Sequence, residues 1–150
     1  MRLFAGVVAA VVLAVSPLAT AAAAPVSKAQ IATALSQHGY SVRDFRSNML
    51  AVDVGQYAVL IAIDGGDGDI SFITYMTGLT INNVGHEFLS KFNSEVKFGR
   101  AYVDRDGDIT LQMDRNAVGG ISLQNIESDF DVFLLLISKF LSDLESRASA

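Results

Sequence analysis

The chain has 150 residues, 11 Lys+Arg against 16 Asp+Glu for a formal net charge of −5, and no cysteine. That length points to one domain, and the missing cysteines exclude thiol nucleophiles, thiolate metal sites and disulfides. An acidic chain with no Lys/Arg cluster repels a phosphate backbone, so nucleic acid is not an expected partner.

The first segment, MRLFAGVVAAVVLAVSPLATAAAAP, has a basic start at Arg2, an apolar run from Leu3 to Val15 and small residues after Pro17. This is the layout of an export signal. Ala19-Thr20-Ala21 and Ala21-Ala22-Ala23 both satisfy the small-x-small cleavage rule, so residues 1–23 read as a signal peptide cut near Ala21 to Ala23. The apolar run is short for a membrane span, although an uncleaved anchor is the rival reading. Residues 24–150 then form the single mature domain, periplasmic or secreted, with no stable membrane span after cleavage.

SKAQIATALSQHG reads as a helix with Ser27 as N-cap, Gln30 completing a capping box and Gly39 as the stop. Ile31, Ala34, Leu35 and His38 share its stripe, and His38 fits a last-turn residue favoured by the helix dipole better than a ligand. YSVRDF and MLAVDV are short strands. YAVLIAID is apolar on both faces and is expected in the middle of the sheet, with DISFITYM returning beside it. TINNVGHEFLSKFN is a second helix capped by Thr80, with Ile81, Val84, Phe88 and Phe92 on its buried stripe. A hairpin, VKFGRAYVD into DITLQMD, precedes a long helix capped by Ser122.

The tetrapeptide DGDI occurs at Asp67–Ile70 and Asp106–Ile109. An EF-hand needs oxygens at loop positions 1, 3 and 5, Gly at 6 and Glu at 12. Counting from Asp104 puts Gly107 at position 4 and Arg115 at position 12; frames from Asp64 and Asp67 end at Tyr75 and Gly78. None closes a calcium shell. The second DGDI reads instead as a two-residue turn at Asp106-Gly107. It would place Tyr102 opposite Leu111 and Val103 opposite Thr110, with Arg105 and Asp108 as a cross-strand ion pair. Phe98, Tyr102, Ile109, Leu111 and Met113 would then share the core face. The looser first loop leaves Asp64, Asp67 and Asp69 as candidates for weak cation binding, and no cofactor is expected.

Catalytic signals are thin. HEFLS has Ser90 where a zinc-protease helix needs its second histidine, no Gly-x-Ser-x-Gly elbow exists, and GGDGD lacks the end of a phosphate loop. The long helix is apolar nearly all round. Phe130, Phe133, Leu134, Ile137, Phe140, Leu141 and Leu144 lie at core spacing, while Val132, Leu135 and Leu136 point elsewhere and suggest a homodimer interface.

FNSEVKFGRAYVDRDGDITLQMD, followed by Gly119-Gly120 and a long helix, resembles the YbjN family of bacterial sensory transduction regulators. The likeness rests on Phe92-Asn93, Phe98-Gly99, Ala101-Tyr102, Asp104, Asp106-Gly107-Asp108, Leu111 and Asp114. It departs at Ser90, where the family often has Asn, and in its export signal, since much of the family is cytosolic. The resemblance implies a fold similar to type III secretion chaperones and brings no catalytic residues. The expectation is an α+β domain of order α-β-β-β-α-β-β-α with an antiparallel sheet. It is read as an exported, non-enzymatic binding, chaperone-like or regulatory module with an unknown protein partner. The alternative is a small cation-dependent or hydrolytic enzyme using the Asp-rich loops 64–69 and 104–108.

Overall fold

Residues 24–149 are described by a computed structural model; the export signal expected over residues 1–23 lies outside them. The elements are α1 (Lys28–Gln37), β1 (Ser41–Arg46), β2 (Met49–Val54), β3 (Tyr57–Asp64), β4 (Asp69–Thr80), α2 (Ile81–Val84), α3 (His86–Glu95), β5 (Gly99–Val103), β6 (Asp108–Arg115) and α4 (Leu123–Ala148). The fold is α+β, with one antiparallel six-stranded sheet in the order β1-β2-β3-β4-β6-β5. Four strands precede the second helix, which breaks at Gly85 into α2 and α3.

Local chemistry sets the helix ends. The Ser27 hydroxyl accepts from the Gln30 N–H while the Gln30 side chain accepts from the Ser27 N–H, so two otherwise orphaned donors are satisfied. At the other end Tyr40 N–H donates to Leu35 O and Gly39 N–H to Ser36 O, which closes α1. Ser122 and Asn125 make the same reciprocal pair at the start of α4.

Strand alternation divides the sheet into two unlike faces. Leu50, Val52, Val59, Ile61, Ile70, Phe72, Ile109, Leu111 and Met113 point to one side and form a single core with Ile31 and Leu35 of α1, Leu89 and Phe92 of α3, and Phe130, Phe133, Ile137 and Phe140 of α4. Phe72 stacks on Phe133, and Phe140 is met edge-on by Phe88 and Phe92. The helices all serve this face. β3 is the third of six strands, as its two apolar faces foretold.

Asn93 of α3 donates to Ala101 O at 2.9 Å and accepts from Ala101 N–H at 2.8 Å, so its amide stands in for a neighbouring strand and covers the β5 edge. On the adjoining strand Arg115 makes a two-pronged ion pair with Asp129, 2.6 Å on each arm, which ties the end of β6 to α4.

The second hairpin corrects the sequence reading. Val103 faces Ile109, Tyr102 faces Thr110 and Ala101 faces Leu111, one residue away from the expected register. The cause is Asp104. Its carboxylate accepts from the Asp106 and Asp108 N–H groups and the Thr110 hydroxyl, each at 3.0 Å. Its backbone N–H donates to Asp108 O and its C=O accepts from Gly107 N–H. A three-residue loop, Arg105-Asp106-Gly107, results, with Gly107 at φ +91°. Asp108 accepts from Gly78 N–H in place of the expected pair with Arg105. Tyr102 thus leaves the core face, and Phe98, expected inside, is 76% exposed with φ +69° just before the strand begins.

Candidate binding face

The helix-free face of the sheet is built by the other half of each strand. One row runs Arg43, Ala51, Leu60, Ile73, Gln112, Arg100 across all six strands, and the next brings Ala58 and Tyr75 onto the same side. β2 and β3 contribute small residues here, Ala51, Ala58 and Ala62, while the flanking strands carry large ones. Three inter-strand steps of about 4.8 Å separate β1 from β4, so their backbones stand about 14 Å apart. The height difference leaves a groove of about 510 Å³. Leu60 and Ala58 form its floor, Arg43 and Phe45 one wall, and Tyr75 and Thr77 the other, with Gln56 and Tyr57 at one end. Phe45 and Tyr75 are 44% and 46% exposed, far more than the aromatic rings of the core. Arg46 lies over the Phe45 ring at 5.4 Å.

Beyond Tyr75 the same face turns polar. Tyr102 OH donates to Gln112 Oε1, Gln112 Nε2 and Ser71 Oγ donate to Asp114 Oδ1, and Arg100 Nη1 donates to Asp114 Oδ2, all at 2.7 Å. Burial is the largest influence on Asp114 and pushes its pKa up. The hydrogen bonds from Gln112, Ser71 and Arg100, with the Arg100 charge, outweigh it and hold the carboxyl below its ordinary value. Burial raises the Tyr102 phenol, only partly offset by Arg100. Every member is occupied by a neighbour, so this end is a rigid polar surface rather than a reactive centre.

The residues singled out in the sequence do not converge. Asp64 accepts from Asn48 Nδ2 and Asp69 from Ala117 N–H, both at 2.7 Å, while Asp67 sits exposed at the turn between them. Among the described residues no group of three or more His, Cys, Asp or Glu side chains is placed to hold a metal ion. The two Asp-rich loops lie at opposite ends of β4, since Asp64 pairs with Asp69 at its start and Asp108 with Thr80 at its end. Eleven strand steps at about 3.3 Å put them roughly 35 Å apart, too far to share one site. The two loops therefore do not form one joint site. His38 contacts Glu127 at 3.2 Å on the surface, and His86 is exposed at the start of α3.

The proposed interface residues on α4 separate. Leu135 is 69% exposed and Val132 is half-buried against the core. Leu136 is only 8% exposed and lies under Gly99, where a Cβ would strike its Cδ1. Leu136 is a core residue of its own chain, because β5 approaches α4 at a glycine and widens the buried arc of the helix. The groove on the helix-free face was missed at the sequence level. Its signal was present in the alternation of Arg43 and Phe45 with Ala51, Ala58 and Ala62, read against Tyr75.

A family model, "YbjN: Putative bacterial sensory transduction regulator", matches residues 27–146. Among solved structures, the fold is similar to that of the crystal structure of YbjN, "a putative transcription regulator from E. coli". The match has 15% identity and a TM-score of 0.63, and covers 86% of this chain and 96% of that one. At that identity the likeness concerns the fold alone. No curated protein matches the sequence.

Proposed function

Since the chain belongs to the YbjN family, a family of regulators, we propose that it is an exported, non-enzymatic binding module whose working surface is the helix-free face of the sheet. The observation that carries this reading is the pair Phe45 and Tyr75, large aromatic rings held half-exposed across a groove while the helices leave that face open. Exposed aromatics beside arginines are characteristic of recognition surfaces. Export to the periplasm or the medium is supported by the leader features of residues 1–23. No described helix is long and apolar enough to cross a membrane.

The test is capture of exported-fraction proteins by the mature chain beside a Phe45→Ser, Tyr75→Ser variant. Partners held by the wild type should be lost by that variant. Equal capture by both proteins would refute the assignment of the surface.

A second reading, self-association, is favoured by Leu135, which stands exposed on the back of α4 beside half-buried Val132. Sedimentation across micromolar concentrations should show a dimer that Leu135→Glu abolishes while the fold persists. A wild type that stays monomeric throughout contradicts it.

A further inference from the structure

We propose that the groove between β1 and β4 is a site for a small aromatic or apolar anion, with Arg43 as the group that receives its charge; this rests on the binding-module reading and names its ligand class. Three observations carry the proposal. The volume, about 510 Å³, lies in the range of small-ligand sites, and the lining mixes aromatic and aliphatic side chains with the polar Arg43, Gln56 and Thr77. Arg43 is the one charged side chain that lines it, although the whole chain carries a net charge of −5. A guanidinium among otherwise uncharged lining side chains, held only loosely by the neighbouring Asp53, favours anions over cations, because the long-range repulsion of an acidic protein is overcome only where an anion reaches that guanidinium.

The arginine is also available. Its contact with Asp53 runs through Nε at 3.7 Å, longer than a hydrogen bond. Among the described residues its terminal nitrogens make no hydrogen bond, so the planar fork can take a carboxylate or sulfonate in a two-pronged contact, in competition with the looser ion pair to Asp53. By contrast Arg100, on the same face, is already committed to Asp114 at 2.7 Å. Phe45 and Tyr75 line opposite ends of the groove, since the register offsets them by about four strand positions, roughly 13 Å, as well as by three strands; an aromatic body would lie between them over Ala58 and the apolar floor of Leu60. The rings need little ordering, since Phe45 already bears the Arg46 guanidinium on its face.

Two fluorescent probes of matched shape separate charge from apolar affinity: anilinonaphthalene sulfonate, an aromatic anion, and uncharged N-phenylnaphthylamine. The mature wild type should bind the sulfonate saturably at one site and about tenfold or more tighter than the neutral dye, the effect of one charge-assisted contact. Arg43→Gln should remove that difference and leave neutral-dye binding unchanged, Arg43→Lys should restore part of it, and Tyr75→Ser should weaken both dyes. Absence of saturable sulfonate binding, equal affinity for the two dyes, or a sulfonate affinity untouched by Arg43→Gln would each overturn the proposal. If partner capture from the exported fraction persists while the sulfonate does not bind, this ligand class fails and the binding-module reading stands.

Discussion

Replacing Gly99 by alanine inserts one methyl where β5 rests on α4. The new Cβ would strike Leu136 Cδ1 and come within 3.3 Å of the Gln112 carbonyl oxygen, a backbone atom of the paired strand that cannot step aside. Leu136 is 8% exposed, so its escape is limited to the surrounding core. Overpacking of this kind costs about 1–3 kcal/mol. Against it, alanine restricts the unfolded chain and returns about 0.5 kcal/mol, because Gly99 does not use positive φ. The net expectation is a loss of about 1–2 kcal/mol. Leu136→Ala alone should cost about 2–4 kcal/mol for lost burial and a cavity. In that background Gly99→Ala should cost about 0.5 kcal/mol or less, since the severe clash with Leu136 is gone, the methyl partly fills the space and only the tight approach to the Gln112 carbonyl remains. Urea denaturation of the four proteins measures the cycle, with an expected coupling of about 1–2 kcal/mol. If Gly99→Ala costs the same in both backgrounds, to within about 0.5 kcal/mol, the contact is not the reason for the glycine.

Gly107→Val should destabilise by about 1 kcal/mol or more through backbone strain alone, because its φ is +91° and no atom lies within 4 Å of a Cβ there; unchanged urea midpoints would show that the loop refolds around valine. Asp104→Ala should cost about 2 kcal/mol, since it strips a partner from the fully buried Thr110 and from two loop N–H groups, and a loss under about 0.5 kcal/mol would remove Asp104 as the loop's organiser. Asp114 has a lowered pKa in the folded chain, so its contribution is complete above the unfolded carboxyl value and fades as pH falls through the folded one. The stability gap between wild type and Asp114→Asn should therefore be flat from about pH 5 to 8 and shrink below about pH 4, and a gap that widens on acidification would contradict the sign.

Local rules were legible in the sequence at the helix caps and in the central strand. The Ser27 and Gln30 capping box and the Ser122 cap follow from neighbours three positions apart, and the two apolar faces of β3 announce a strand with neighbours on both sides. The hairpin register was lost because an Asp-Gly pair suggests a two-residue turn, whereas the Asp104 carboxylate gathers three donors and stabilises a longer loop. A useful signal was the Asp itself, placed two and four residues before amides it could reach. Phe98 looked like part of the strand alternation, yet the strand starts one residue later. Leu136 was misplaced for a different reason: a helical wheel counts only its own helix, and the glycine that lets β5 descend onto it lies 37 positions earlier. The candidate groove was only half legible: the alternation places Arg43, Phe45, Ala58 and Tyr75 on one face, but each helix stripe says only that one face is buried, not that all helices choose the same side of the sheet.

Hydroxyl-radical footprinting of the mature protein, free and with partners captured from the exported fraction, tests the working surface most directly, because it reads aromatic side chains one by one. Phe45 and Tyr75 should lose reactivity in the complex, while Phe98, exposed beside β5 at the opposite edge of the sheet from β1, keeps its own. Protection of Phe98 with Phe45 and Tyr75 unchanged would place the binding surface elsewhere and contradict the account.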